Sequence, residues 1–331
     1  MVKYIIKRLL LAVLILFSVS VIMYILVRNI DLNALWDIAG AGNLASGQDA
    51  EEKFQAVAAA YGYGDNSFWG IIKGYFSWLG NFLQGDMGTS ISYKQPVEDV
   101  ISKNMGISFT ISLVSLVLQL IIAIPLGIKC AVNQYGKLDY VATFLTMIGI
   151  SFPTFFAASL AIKFFSVELG WFPVSGIQSG SLVSPTWWEE FKDKVWHMAL
   201  PILVLVLLSI GSWSRYTRTN TLEVLNADYI RTARAKGLSE RSVVYKHVFR
   251  NSLIPLVTVL AGTLPTLFGG AMITETMFSI PGIGKLAYDA MIDGDIPFIM
   301  GYNMFLAVLT VIGILLTDIM YAVVDPRVKL A

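Results

Sequence analysis

One cysteine, Cys130, and two histidines, His197 and His247, are all that this chain of 331 residues carries of either type. A lone cysteine excludes an internal disulfide framework and any cysteine cluster for zinc or iron–sulfur. Two histidines so far apart in sequence argue against a metal site. Charge is scarce as well. Charged residues make up 14% of the chain, against about 25% in an ordinary soluble domain. A net charge of +1 by itself points to no nucleic-acid partner, and none is expected. No H-E-x-x-H, no G-x-S-x-G and no paired intramembrane aspartates are present, so a membrane hydrolase is not indicated. What fills the space is apolar: 56% of residues are hydrophobic and the mean hydropathy is +0.66. The composition is that of a membrane protein.

A spanning helix needs about 20 mostly apolar residues. Six stretches qualify: 9–27, 106–128, 141–165, 198–214, 253–277 and 299–323. The fourth is short and has Pro201 near its start. The first follows Lys3, Lys7 and Arg8 and lacks an A-x-A cleavage site, so it reads as a retained helix rather than a signal peptide. Of the 24 lysines and arginines, 15 fall in the N-terminus, the 129–140 and 215–252 loops and the C-terminal tail. The intervening loops hold most of the acids. By the positive-inside rule both termini are expected in the cytoplasm. Residues 28–105 then form a large external region without a spanning candidate. Its later part, with Trp69, Tyr75, Phe76, Trp78 and Phe82, reads as an aromatic, amphipathic element at the outer interface. In 166–197, Trp171, Trp187, Trp188 and Trp196 suggest a short helix lying on the membrane surface.

Within the spans the only ionisable residues are Lys163, Glu275 and Asp318, each near a predicted end. Snorkelling or capping explains them better than ion coupling does. Gly282-Ile283-Gly284-Lys285-Leu286 imitates a phosphate loop. It has Ser279 in place of the upstream glycine and no Ser/Thr after the lysine, so ATP hydrolysis is not expected here. The fifth span is interrupted by Pro255, Gly262, Pro265, Gly269 and Gly270. These residues allow either close helix packing or a gate.

The basic 215–252 loop is the most informative segment. Asn226 or Asp228 can cap a helix, Gly237 suits the left-handed position after its end, and Ser239 with Glu240 can open the next one. Two short helices joined at Gly237 are expected. Tyr229, Thr232, Ala233 and Lys236 share a face at i, i+3, i+4 and i+7. Residues on that spacing could dock a partner or belong to a solvated basic loop.

The stretch Thr217-Arg218 through Leu222-Glu223-Val224-Leu225, followed by Asp228 to Ser239, resembles the cytoplasmic coupling loop of oligopeptide/dipeptide ABC importer permeases. Gly85-Asp86-Met87-Gly88-Thr89-Ser90 with Gln95-Pro96-Val97, Glu275 through Gly284, and Tyr321 through Arg327 resemble three further motifs of that family, in the same order. Arg231, Thr232 and Ala233 stand where the wider family has Glu-Ala-Ala, and Arg250 where it has proline. Gly294-Asp295 stands in place of an Arg-Asp pair.

The resemblance implies an all-α type I importer subunit with six transmembrane helices. Its parts would be an N-terminal transmembrane helix (1–28), an extracytoplasmic region (29–105), a transmembrane core (106–322) and a cytoplasmic tail (323–331). It implies a second homologous permease, two cytoplasmic ATP-binding subunits that hold ATP and Mg, and an extracytoplasmic binding protein. No cofactor is expected in this chain. Peptides are the expected cargo, with nickel or metal chelates and oligosaccharides as alternatives inside the same architecture and an ion-coupled transporter outside it. Ala227, Asp228, Tyr229, Arg231, Thr232, Ala233, Arg234, Ala235, Lys236 and Gly237 are the expected coupling residues. Pro265, Gly269, Gly270, Glu275, Phe278, Pro281 and Gly282 are the expected pathway or gate residues.

Overall fold

The computed structural model describes residues 2–28, 67–180 and 185–324. They are mostly helical, with one isolated antiparallel bridge, Thr89 to Pro96. The early external stretch 29–66 and the last motif residues, 325–327, lie outside the described residues.

Helix α1 (Val2–Arg28) and α2 (Phe68–Leu83) precede the long α3 (Val97–Val132). A hairpin-like pair follows, α4 (Lys137–Ser151) and α5 (Thr154–Ala161), the latter continuing as a π-helical turn to Glu168. Helix α6 (Trp187–Leu225) is the longest element at 39 residues. At 1.5 Å per residue it is about 58 Å long, roughly twice the hydrocarbon thickness, so part of it must project beyond the bilayer. Next come α7 (Asp228–Ala235) and α8 (Glu240–Ser242) with its π-helical continuation to Val248. Then follow α9 (Phe249–Gly262), α10 (Leu264–Gly269), α11 (Met272–Met277), α12 (Ile283–Ile292) and α13 (Ile296–Val324).

Among the described residues four helices are long and apolar enough to cross a membrane, and six spans result if each of two bent pairs counts as one. Two expectations need correction. The 141–165 stretch is not one straight helix: α4 and α5 meet at 99°. Pro153 lacks an N–H and pushes Phe152 into an extended conformation, with ψ at 126°, which ends α4. The tryptophan-rich 187–197 segment is not a separate surface helix either. It forms the first turns of α6, opened by a capping box in which Thr186 and Glu189 each accept the other's backbone N–H.

Helix α6 is the central pillar and packs most extensively on α3. Contact is close because Gly127 on α3 has no side chain: a Cβ there would sit 2.6 Å from the Ser214 carbonyl oxygen and 2.8 Å from the Thr217 Cβ. Small residues at such crossings let backbones approach, which drives helix association in lipid. One hydrophobic cluster joins Ile111, Leu200, Val204 and Phe278, tying α3, α6 and the end of the fifth span together. Helix α1 packs on α13, where Arg8 pairs with Asp318 at 3.1 Å. Helix α2 is amphipathic as expected. Its Tyr75 and Trp78 bury against Tyr24 of α1, with the Tyr75 hydroxyl 2.7 Å from Ser20 Oγ, while Trp69 and Phe76 stay exposed.

Candidate functional site

Two regions gather the expected site residues. The first is the basic loop after α6. Asn226 does not cap α7; it closes α6, donating its side-chain amide to the Leu222 carbonyl at 3.0 Å. Ala227 takes the cap position without a side-chain bond, and Asp228 sits in the first turn, where its charge suits the helix dipole. Gly237 adopts φ +79°, the left-handed geometry that glycine enters without strain. Ser239 caps the next helix, accepting the Ser242 N–H at 3.4 Å. Glu240 reaches back across the turn, and Arg234 donates to it through Nε at 2.8 Å and Nη2 at 3.3 Å. The turn between the two helices is thus clamped from both sides.

The shared face of α7 divides differently from its spacing. Ala233 is buried together with Ile230, against Val243 and Val248 of the following helix. Tyr229, Arg231, Thr232, Arg234, Ala235, Lys236 and Gly237 are exposed, as is Asp228. The helix therefore stands on its own chain through Ile230 and Ala233 and presents a cationic, partly aromatic surface outward. The signal for this was Ile230, whose apolar side chain lies three residues before Ala233 on the same side. The face drawn through Tyr229 and Ala233 missed it.

The second region surrounds Glu275, which is fully buried. Its Oε1 accepts the Ala271 N–H at 3.1 Å and its Oε2 accepts the Lys285 N–H at 3.0 Å. Glycines crowd this carboxylate. A Cβ at Gly270 would lie 2.7 Å from Oε1, and one at Gly284 would lie 2.9 Å from Oε2. Gly282 presses on the same group, and Ser108 Oγ of α3 accepts the Ile283 N–H at 2.8 Å. Gly270 itself has φ +78°. The glycine–lysine stretch that imitates a phosphate loop is thus a cradle for a glutamate of the same chain. Gly269 joins this region through its carbonyl, which accepts the Tyr302 hydroxyl at 2.7 Å. Pro265 starts α10 one turn earlier. Phe278 turns away into the α3–α6 core, and Pro281 is exposed. Of the seven expected pathway residues, the fold brings four together, Gly269, Gly270, Glu275 and Gly282.

A further buried carboxylate was not among the expected site residues. Buried Asp295 accepts Ser90 Oγ at 2.5 Å, the Ser92 N–H at 3.0 Å and the Phe298 N–H at 3.1 Å. It caps α13 and ties the Gly85-to-Ser90 motif to the last external loop. Nearby, Tyr93 donates its hydroxyl to the Leu286 carbonyl at 3.1 Å. Burial, reinforced by Asp289, Asp293 and Asp295, pushes that phenol well above its usual range, which keeps it a neutral donor. A cavity of about 270 Å³ also opens between α3, α6 and α10, with Gly270 in its wall. Its serines and glutamine form no sequence motif. Only their helical spacing, Ser112, Ser115 and Gln119, could have disclosed it.

Comparison with known proteins agrees with this architecture. Residues 123–330 match the family described as binding-protein-dependent transport system inner membrane component. An oligopeptide transport system permease protein of Bacillus subtilis, AppB, is 38% identical over 336 residues, covering 99% of this chain and 100% of that protein. A putative peptide permease protein of Brucella suis is 38% identical over 77% of this chain and 79% of its own length. The dipeptide transport system permease protein DppB of Bacillus subtilis is 36% identical over 78% of this chain and 80% of its own. With a family match over more than half its length and an end-to-end relative at this identity, the chain belongs to the inner membrane components of binding-protein-dependent transport systems.

Proposed function

We propose that this chain is one of two membrane-spanning subunits of an ATP-driven importer that carries peptides into the cytoplasm. The observation that carries the reading is its full-length likeness to an oligopeptide permease. A second homologous permease, two cytoplasmic ATPases holding ATP and Mg, and an extracytoplasmic binding protein complete the assembly. Charge asymmetry supports an orientation with both termini and the α7 loop in the cytoplasm.

In this reading the exposed residues of α7 meet an ATPase. Asp228, Tyr229, Arg231, Thr232, Arg234, Ala235, Lys236 and Gly237 supply the contact. Ala227 sets where the helix begins, and Ala233 fastens it to its own chain. Closure of the two ATPases displaces α7. Because α7 follows α6 directly and rests on Val243 and Val248, the displacement passes to α6 and α9 together. The spans then exchange inward- and outward-facing states, and no covalent chemistry occurs in this subunit. The nucleotide acts by shifting the population of those states. Gly269, Gly270, Glu275 and Gly282, with Pro265, Phe278 and Pro281 around them, form the break in the fifth span that such a motion would work on.

The test is purification of the tagged chain with its partners and reconstitution in proteoliposomes. Two ATPases and a second permease should co-purify. Uptake of alanine peptides should require both ATP and the loaded binding protein. Uptake that follows a proton or sodium gradient without ATP would establish the ion-coupled alternative instead.

A further inference from the structure

The cavity between α3, α6 and the fifth span has an unusual lining for the interior of a membrane protein. Helix α3 contributes Ser112, Ser115 and Gln119, and α6 contributes Ser209 and Trp213. The segment where α9 gives way to α10 adds Thr263 and Thr266. Each set recurs at three- or four-residue intervals, so each is one helix face turned to the same space. No lining residue carries a formal charge.

Hydroxyls on apolar helices usually return to a carbonyl of their own helix, as Thr110 does to Gly106 at 2.8 Å. Ser115 does not. Its residue is 2% exposed, and among the described residues its Oγ has no hydrogen-bond partner. Leaving such a group unmade is costly. Four residues on, Gln119 is also buried and donates across the cavity edge to the Leu205 carbonyl at a long 3.3 Å. Neutral polar side chains inside spans bond across to a neighbouring helix, as Gln119 does, or face a path, and Ser115 makes no cross-helix bond.

We propose that this cavity is a subsite of the translocation path that hydrogen-bonds the backbone of the passing peptide. The proposal rests on the peptide reading above and specifies its recognition chemistry. A peptide backbone alternates neutral donors and acceptors. Serine and threonine hydroxyls can serve either role, and an amide offers both at once. A lining without charge has no counter-ion for any particular side chain. It accepts the feature that all peptides share, which suits a carrier of varied sequences. At about 270 Å³ the space falls below the range usual for a drug-sized ligand, so it fits a short segment of chain. Its wall includes Gly270 and Ala271, and Ala271 is the residue whose N–H is held by Glu275. Opening of the fifth-span break would therefore reshape the cavity directly.

The experiment uses the complete importer in proteoliposomes, supplied with alanine peptides of two to five residues and with the same peptides N-methylated at an internal amide. Binding-protein loading is matched beforehand by titration. Ser115→Ala and Gln119→Leu should each lower uptake of the unmodified peptides roughly 2–10-fold, the worth of one neutral hydrogen bond. Their penalty should shrink for the N-methylated series, as expected when both changes remove the same contact. Ser115→Thr should retain uptake, and Thr110→Ala should leave it unchanged. Wild-type uptake in both cavity variants would overturn the subsite while leaving peptide import intact. Loss of the second permease from either variant would overturn it too, because the face would then be a subunit contact. Failure of the wild-type complex to import any of the peptides would overturn the peptide reading itself.

Discussion

Arg218 grips Asp139 with both arms of its guanidinium, Nε to Oδ1 at 2.7 Å and Nη2 to Oδ2 at 2.8 Å. The pair joins α6 to the start of α4, and Oδ2 also accepts the Tyr135 N–H at 3.0 Å. Tyr135 sits at φ +61°, so the carboxylate holds a turn that a non-glycine residue enters only reluctantly. Arg218 is seven residues from Leu225, where α6 ends and the basic loop begins. The clasp therefore braces the stem of α7 against the neighbouring loop.

Asp139 is buried and the Arg218 side chain is a quarter exposed. Removing one partner of a buried pair leaves the other uncompensated, at a cost on the order of 2–4 kcal/mol with some relief from solvent. Asp139→Asn and Arg218→Gln should each lower the thermal midpoint of the assembled complex and reduce peptide imported per ATP hydrolysed. The variants should be non-additive in a double-mutant cycle. Additive, small effects would mean that the clasp is ornamental.

The Glu275 cradle leads to a second expectation. Gly270 is held at a positive φ, and its missing Cβ would strike Oε1. Gly270→Ala should therefore cost roughly 1–3 kcal/mol through overpacking, with added backbone strain, and abolish uptake. Glu275→Gln keeps the shape but turns an amide donor towards one of two backbone N–H groups, and should also destabilise the break. Limited proteolysis of the 263–285 segment, beside uptake, would show whether the effect is local.

How much of this was legible in advance depended on what each signal measures. Hydropathy located six apolar stretches, since burial in lipid demands long apolar runs. It missed the 99° turn at Pro153, because α5 is as apolar as α4 and only the proline marks the corner. Gly237 and Ser239 announced their roles through backbone and capping requirements that few other residues meet. Ala233 misled because helical spacing says which residues share a face, not which side meets the chain's own core. Gly270, Glu275 and Gly282 were expected at a pathway or gate, but the cradle they form with Ser108 and Gly284 was not legible, because tertiary contact assembles it.

The first helix is fastened by charge. Arg8 pairs with Asp318 at 3.1 Å, and the other Asp318 oxygen is buried without a hydrogen-bond partner among the described residues. Arg8→Gln should destabilise the α1–α13 contact by leaving a carboxylate uncompensated. Arg8→Gln combined with Asp318→Asn should be milder than Arg8→Gln alone, since the unpaired charge is gone. The measurement is the thermal midpoint of the complex in detergent. A double variant worse than the single would contradict this account.

Orientation can be read with a thiol reagent, because Cys130 is the one cysteine and is buried. In a Cys130→Ala background, Gln84→Cys should label from outside intact cells and Ser239→Cys only after permeabilisation. Both positions are exposed. Labelling of Ser239→Cys in intact cells would reverse the proposed topology.

The sharpest prediction separates the two sides of α7. Tyr229 is 49% exposed, whereas Ala233 is 8% exposed and packed on Ile230, Val243 and Val248. A contact with an ATPase must run through the first kind of residue. Tyr229→Ala and Lys236→Glu should lower ATPase co-purification or uncouple hydrolysis from uptake, with the thermal midpoint of the permease unchanged. Ala233→Trp should fail differently. The indole has no room in the chain's own cluster, so the loop itself should loosen and Arg234 should become a faster trypsin site. Gly237→Val belongs with Ala233→Trp although, among the described residues, no neighbour lies within 4 Å of a Cβ there. Its cost is purely the left-handed backbone, which a β-branched residue resists. If Tyr229→Ala and Lys236→Glu behave as wild type while Ala233→Trp impairs transport, α7 is a structural brace and the motor engages elsewhere.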